Sequence, residues 1–347
     1  MSAKYKVLKV SKEVGSNLKV VGPSMSSREA AEFAKVGAEL VEVAESDKAA
    51  VSAAAKEADI ILLGSTPITR ELMEAAPKCI AVMCQSVGYD PIDVKAATDL
   101  NILVVNNPSF EWCIEEVSNH AITLLLACAK KVKILDKLVA QGQWAKAKAA
   151  QKPMGSIYGQ TLGIIGCGAI GRMTARKAHC FGLKVIGYDP YVEKWLAKEN
   201  GITLVNLTDL VKESDYVSAH PDLNDTSFHM MGEKEFRQMK RSAYFINTSR
   251  GKIVDEPALI KALDEKWIAG AGLDVFEVEP LPANNPLTKM DNVTLLSHSA
   301  SYSDYAFSIA PINIALEVGR VLSGKLPNNY VNKSVTPRVK LVKGDNF

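Results

Sequence analysis

Six residues, Gly166-Cys167-Gly168-Ala169-Ile170-Gly171, constrain the fold of this chain more than any other stretch. The apolar run Thr161-Leu-Gly-Ile-Ile leads into them, and a helical pattern follows as far as Phe181. A second apolar run, Val185-Ile-Gly-Tyr188, ends on Asp189. Strand, glycine turn, helix, second strand and terminal acid, in that order, make a dinucleotide-binding fingerprint. The first glycine permits the tight turn, the second lets the backbone approach a pyrophosphate, and the third lets helix pack on strand. The helix start at Ala169 and Ile170 offers unpaired N–H groups and a positive dipole end to the phosphates. A glycine turn alone is also a common structural device; the flanking strand and acid separate the two readings. Asp189 can accept from both ribose hydroxyls and would repel a 2′-phosphate. No arginine occurs among Pro190, Tyr191, Val192 and Glu193 to neutralise one, so NAD(H) is expected, favoured over NADP(H).

At 347 residues the chain is expected to form two domains, and 47% hydrophobic residues suffice for packed cores. A net charge of +2 argues against nucleic acid as the main partner. The local run Lys130, Lys131, Lys133, Lys137 reads as the solvated end of a helix. No apolar stretch is expected to reach transmembrane length, Ala121–Ala129 being too short and leading into lysines, and Met-Ser-Ala-Lys-Tyr-Lys at the start is no signal-peptide core. The six cysteines, Cys79, Cys84, Cys113, Cys128, Cys167 and Cys180, form no CxxC pair and read as free thiols, mostly buried, of a reducing compartment. The five histidines are scattered, so no metal site is expected. A cytoplasmic location and no membrane partner are expected.

Residues 5–107 alternate between strand patterns (Lys6–Val10, Leu18–Val21, Leu40–Val43, Asp59–Leu63, Ile80–Cys84, Ile102–Val105) and helical ones (Ser27–Gly37, Lys48–Glu57, Thr69–Ala76). Such alternation predicts a parallel sheet with helices on both faces. After Asn107-Pro108 a long helix is expected over 111–141, with Glu111, Glu115 and Glu116 first and the lysines last. Its stripe of Val117, Ala121, Leu124, Leu125, Cys128, Val132, Leu135 and Leu138 reads as core packing and is long enough for part of it to face a second subunit. Ala145–Lys152 reads as an exposed arm or loop. Strands follow at 161–166, 184–188, 203–205, 215–219, 243–247, 271–275 and 293–297, then a last helix over 303–323. The expected fold is α/β, with two doubly wound parallel-sheet domains. A Rossmann NAD domain (108–298) is inserted into a flavodoxin-like substrate domain (1–107 and 299–347). Hinges are expected near Asn107–Pro108 and Ser299–Asp304, with the ligand site in the cleft between the domains.

Three segments at strand ends carry candidate chemistry. Arg250, after Phe245-Ile-Asn-Thr-Ser, can present its planar fork to a carboxylate. Glu277 and Glu279 follow Gly272-Leu-Asp-Val-Phe, and His298 follows Leu296-Ser297. A histidine exchanges protons near neutral pH, and a carboxylate beside it would orient and stabilise the imidazolium. Each has an ordinary alternative: His298 as a satisfied core residue, Arg250 as a strand cap or partner of Asp255, both glutamates as surface carboxylates. His220 and Pro221, and Thr248 and Ser249, stand just past two of the strands and complete the expected cofactor contacts with Gly166, Gly168, Ala169, Ile170, Gly171 and Asp189.

From about residue 58 to 302 the chain resembles the D-isomer-specific 2-hydroxyacid dehydrogenases. The matching segments are Gln85-Ser-Val-Gly-Tyr-Asp-Pro-Ile-Asp93, Gly166–Gly171, Phe245–Gly251, Gly270–Phe276 and Glu279-Pro280. The resemblance implies the split two-domain fold and a homodimer held through the cofactor domains. It implies a catalytic set of Arg250, Glu279 and His298, Glu279 being chosen over Glu277 because it precedes proline. It also implies that Asp274 holds the nicotinamide carboxamide and that backbone N–H groups of Ser86, Val87 and Gly88 grip the substrate carboxylate, together with Arg250. The expected activity is hydride transfer between nicotinamide and a small 2-oxo or D-2-hydroxy acid.

The chain departs from the family where Ser297 and Ser299 flank His298, in place of proline before it and glycine or alanine after. Cys113–His120 and Ser299–Asp304 are similar to a subgroup near the C-terminal-binding-protein corepressors. An NAD(H)-sensing binding protein with little turnover is therefore the alternative, and formate or phosphite oxidation is a third reading, of which Glu279 disfavours formate. Gly64 stands where phosphoglycerate dehydrogenases carry an arginine, which disfavours a phosphorylated substrate unless Arg70 or Lys78 substitutes. Gln85, Ser86, Ser65, Tyr302 and Tyr305 would give a polar pocket, though each is also a commonplace loop residue.

Overall fold

The computed structural model describes residues 5–12, 25–106 and 111–343. The chain forms two compact units, Met1–Cys113 with Ser303–Phe347, and Ile114–Tyr302. The strand expected at Leu18–Val21 and the hinge expected at Asn107–Pro108 lie outside the described residues.

In the first unit the order is β1 (Tyr5–Ser11), α1 (Met25–Lys35), β2 (Ala38–Ala44), α2 (Lys48–Glu57), β3 (Ile60–Leu62), α3 (Arg70–Glu74), β4 (Ala81–Met83), α4 (Val94–Asp99) and β5 (Leu103–Val105). The sheet is wholly parallel with strand order β2-β1-β3-β4-β5, the flavodoxin-like arrangement. Strands covered on both faces read as continuous apolar runs, and β3, β4 and β5 are entirely buried. Ile61, Val82 and Val104 pack with Ala55, Met73 and Ala96 on one face. Ile60, Met83 and Leu103 pack with Phe33, Ile314 and Val318 on the other. Asp47, Thr69 and Asp93 accept from Ala50, Leu72 and Ala96 N–H and so start α2, α3 and α4.

The second unit contains α5 (Glu111–Ala129), α6 (Val132–Ala140), α7 (Trp144–Ala150), β6 (Thr161–Ile165), α8 (Ala169–Cys180), β7 (Lys184–Tyr188), α9 (Lys194–Glu199), β8 (Thr203–Leu204) and α10 (Leu207–Glu213). It continues with β9 (Tyr216–Ala219), α11 (Glu233–Gln238), β10 (Tyr244–Asn247), α12 (Glu256–Asp264), β11 (Gly270–Leu273) and β12 (Val293–Leu295). Seven parallel strands run β12-β11-β10-β9-β6-β7-β8, the Rossmann order extended by one strand. Its first strand, β6, therefore lies beside β9, where the order reverses and the glycine turn begins. α13 (Asp304–Leu322) then returns the chain to the first unit, with Ser303 capping it through Ala306 N–H.

Two helical expectations need correction. The helix expected over 111–141 is two helices, because Lys131 adopts left-handed φ +54° between α5 and α6. Val117, Ala121, Leu124, Leu125 and Cys128 of the stripe are buried, whereas no residue of α6 is. The exposed arm or loop expected at 145–152 is exposed apart from Ala147 and Ala150, but it is largely helical as α7 and not a loop, since alanine and lysine are strong helix formers. Among the described residues, α13 is long and apolar enough to cross a membrane by length and composition, contrary to expectation. A core helix meets the same requirement, and Ile314, Ala315, Val318 and Val321 are buried against the first unit's sheet.

Candidate active site

The glycine turn in the second unit is shaped for a dinucleotide. Gly166 holds φ +85°, and a Cβ there would meet Pro221 N at 2.6 Å. A Cβ on Gly171 would meet Gly166 O at 2.1 Å, so α8 sits directly on the turn. A Cβ on Gly168 would meet nothing within 4 Å, which leaves open space at the start of α8. Gly168 caps that helix with no side-chain bond, leaving its first N–H groups available to phosphate. Asp189 ties the turn to the end of β7: Oδ2 accepts from Cys167 N–H at 2.8 Å, and Oδ1 from Tyr191 and Val192 N–H at 2.8 and 3.1 Å. Past β9, His220 Nε2 lies 2.9 Å from Ser218 Oγ, and burial pushes the imidazole down to about 4, so it is neutral at physiological pH. His220 Nδ1 and Thr248 Oγ1 are buried polar atoms with no protein partner. Orphans of this kind call for a ligand or water. The residues present thus fit a bound dinucleotide.

The proton-transfer candidates meet in the same unit. His298 Nδ1 lies 2.7 Å from Glu279 Oε2, and Glu279 Oε1 accepts from Phe276 N–H at 2.9 Å. The bond to Glu279 holds the His298 pKa above its ordinary value, against burial and the nearby Arg250 charge. Burial would raise the Glu279 pKa, but bonds from His298 and Phe276 N–H outweigh it and keep the carboxyl below its usual range. The imidazole is half exposed, so it remains accessible to a reactant. Glu277, the other candidate, faces elsewhere: it pairs with His229 Nε2 at 2.6 Å and accepts from Glu256 N–H at 3.2 Å.

Arg250 follows β10 in extended backbone, with Nη1 donating to Ser249 O at 2.8 Å. Ser249 N–H and Oγ both donate to Asn247 Oδ1, and Asn247 Nδ2 donates to Arg250 O, so this turn is tightly tied. Gly251 lies against the backbone of Phe276, where a Cβ would meet its carbonyl carbon and oxygen at 1.9 Å. Neither backbone can yield easily, so Gly251→Ala should cost about 1–3 kcal/mol. Displacing the Glu279 loop should also lower turnover about a hundredfold. Thermal denaturation and kcat of the variant check both; wild-type values would mean that the contact is slack.

In the first unit, the loop after β4 has its carbonyls spoken for. Ser86 O and Gly88 O accept from Cys84 Sγ, Gly88 O also from Ser86 Oγ at 2.7 Å, and Val87 O from Asn106 Nδ2 at 2.7 Å. Among the described residues the N–H groups of Ser86, Val87 and Gly88 have no acceptor. Consecutive free N–H groups make an anion-binding concavity. Arg70 is paired with Asp99 and Glu74, and Lys78 with Glu57, so neither stands uncommitted as a phosphate ligand.

A sequence model of the D-isomer specific 2-hydroxyacid dehydrogenases, NAD binding domain, matches residues 122–300. A glyoxylate reductase of Korarchaeum cryptofilum is 44% identical over 80% of this chain and 83% of its own. The chain belongs to the D-isomer specific 2-hydroxyacid dehydrogenase family. Among solved structures, an NADPH-dependent glyoxylate/hydroxypyruvate reductase from Sinorhizobium meliloti, in complex with NADP and malonate, matches with TM-score 0.81 at 28% identity, covering 96% of this chain and 98% of that one. A D-lactate dehydrogenase from Aquifex aeolicus, complexed with NAD and lactic acid, matches with TM-score 0.77 at 26% identity, covering 91% and 96%. Membership and relatives together support NAD(P)-dependent 2-hydroxyacid dehydrogenase activity.

Within this dehydrogenase the residue that sequence reasoning missed is His120 of α5. Its Nε2 lies 3.3 Å from Oδ1 of Asp274, which is fully buried. The Asp274 carboxylate accepts from Ser299 and Ala300 N–H at 2.9 and 2.8 Å, and its own carbonyl accepts from His298 N–H at 2.8 Å. The dehydrogenase therefore anchors the turn around His298, which holds left-handed φ +55°, on one buried carboxylate. Burial would raise the Asp274 pKa; the neighbouring His120 imidazole and the bonds from Ser299 and Ala300 N–H override it and lower it. The only sequence signal for His120 was its place at the end of the Cys113–His120 segment.

Proposed function

We propose that this dehydrogenase reduces a small 2-oxo acid to its D-2-hydroxy acid with NADH, with the reverse oxidation open to it. The observation that carries the reading is the 2.7 Å His298–Glu279 pair with its raised imidazole pKa. Protonated His298 delivers a proton to the forming alkoxide, and Glu279 keeps that imidazole charged. Neutral His298 is the base of the reverse reaction. Arg250 polarises the carbonyl and binds carboxylate, and the N–H groups of Ser86, Val87 and Gly88 bind carboxylate. The nicotinamide, when bound, supplies or takes the hydride. Gly166, Gly168, Ala169, Ile170, Gly171, His220, Pro221, Thr248 and Ser249 would hold the dinucleotide, Asp189 its ribose and Asp274 its carboxamide.

The test is NADH oxidation by purified protein against glyoxylate, hydroxypyruvate, pyruvate, oxaloacetate and phenylpyruvate. Turnover of at least one supports the reading; NADH binding without any turnover would move the protein to a sensing role. NADH should exceed NADPH in kcat/KM by about a hundredfold, because Asp189 repels a 2′-phosphate. Equal efficiency with the two cofactors would overturn that preference.

A homodimer through the second unit is part of the proposal. α6 carries apolar residues yet buries none of them, Val132 and Val139 are 51% and 46% exposed, and Trp144 is 65% exposed. Apolar surface of that kind, on one helix and at the start of the next, suits a second copy of this chain. Sedimentation velocity would give a monomer if this is wrong.

A further inference from the structure

In the first unit, a buried charge sets the orientation of one amide beside the Ser86–Gly88 loop. Glu29 of α1 is fully buried, and its Oε2 lies 2.8 Å from Lys9 Nζ on β1. Its Oε1 accepts a hydrogen bond from Gln85 Nε2. Lys9 lies 4.0 Å from Glu42 as well, so one cation stands among two carboxylates. Burial raises the Glu29 pKa, and the Lys9 ammonium opposes the rise. The 2.8 Å contact with Lys9 Nζ is the geometry of an ion pair, in which Glu29 is the carboxylate.

An ionised carboxylate only accepts hydrogen bonds. It therefore decides which end of the Gln85 amide faces it. The NH2 group must point to Glu29, and Oε1 is left as the other arm. Among the described residues Gln85 Oε1 has no partner. Gln85 thus offers a fixed acceptor immediately before the three N–H groups assigned to the substrate carboxylate. An acceptor in that position takes a hydroxyl donor. It disfavours a second carboxylate or a phosphate, the more so beside the surplus negative charge of Glu29 and Glu42.

We propose that Gln85, oriented by Glu29 and Lys9, is a specificity-determining residue that selects 2-oxo acids bearing a hydroxyl on the neighbouring carbon. The inference rests on the carboxylate-binding role of Ser86–Gly88 given above. Hydroxypyruvate and pyruvate differ by that hydroxyl alone, so the ratio of their kcat/KM values is the readout. Wild type should favour hydroxypyruvate. The ratio should fall about five- to tenfold in Gln85→Leu, the worth of one partly exposed hydrogen bond. It should fall similarly in Glu29→Gln, which keeps volume and packing but frees the amide to flip. A ratio unchanged in both variants, or wild type preferring pyruvate, overturns the inference while leaving the dehydrogenase reading intact.

A second readout needs no turnover. D-glycerate and D-lactate carry the same difference and can be titrated into the NADH-loaded protein by fluorescence quenching. Tighter D-glycerate binding that is lost in both variants supports the inference even if no oxo acid is reduced. Equal binding of the two acids overturns it.

Discussion

Replacing His298 by alanine should lower kcat for 2-oxo acid reduction by about 10²–10⁴, the usual contribution of a positioned general acid. NADH affinity should stay nearly constant, because the glycine turn and Asp189 are held by their own backbone bonds and not by His298. Stability should change little, since the imidazole is half exposed and its turn is anchored by backbone N–H groups on Asp274. Stopped-flow reduction and NADH titration of the variant separate the two effects. A variant that retains more than about a tenth of wild-type kcat would remove His298 from proton transfer.

The second large effect is expected for Glu279→Gln, and its sign follows from the charges around the imidazole. Glu279 supplies the largest upward push on the His298 pKa and Asp274 the smallest, while burial and Arg250 both push downward and outrank Asp274. Without the carboxylate the downward influences win, and His298 loses its proton at lower pH. Reduction requires the protonated form, so the alkaline limb of its pH profile should move to lower pH. Oxidation requires the neutral form, so its acid limb should move the same way. At mildly alkaline pH, reduction should fall about 10- to 100-fold, with a smaller loss at acidic pH. A profile of kcat/KM that keeps its wild-type limbs would assign the titration to a different group.

Local grammar made much of the fold legible. The fingerprint from β6 to Asp189 spans consecutive elements, and each glycine answers a local steric demand, so the sequence pattern and the geometry coincide. Most strands fall within a residue or two of their expected positions because the inner strands of both sheets are buried on both faces and read as short apolar runs. The break at Lys131 was not legible, since lysine in left-handed backbone carries no compositional mark. At the site, Arg250, Glu279 and His298 were readable as strand-end residues, but their mutual distances are nonlocal. Glu277 and Glu279 are alike in composition and differ only in the partner each finds across the fold: His229 for one, His298 for the other. His120 and Glu29 were invisible for the same reason. Each is an ordinary residue on a helix until the folded chain brings Asp274 to one and Gln85 to the other.

The contact of Gly251 on the Phe276 carbonyl bears on how such a protein can change over generations. With no clearance between the two backbones, the arginine turn and the glutamate loop behave as a single rigid piece, and drift at either one is constrained by the other. The loop before Gly88 has no such lock: Gln85 and Ser86 reach their neighbours through side chains. On the proposed roles, diversification toward new acids is channelled into a few replaceable side chains of the first unit, while the proposed proton-transfer residues are inherited with their rigid frame.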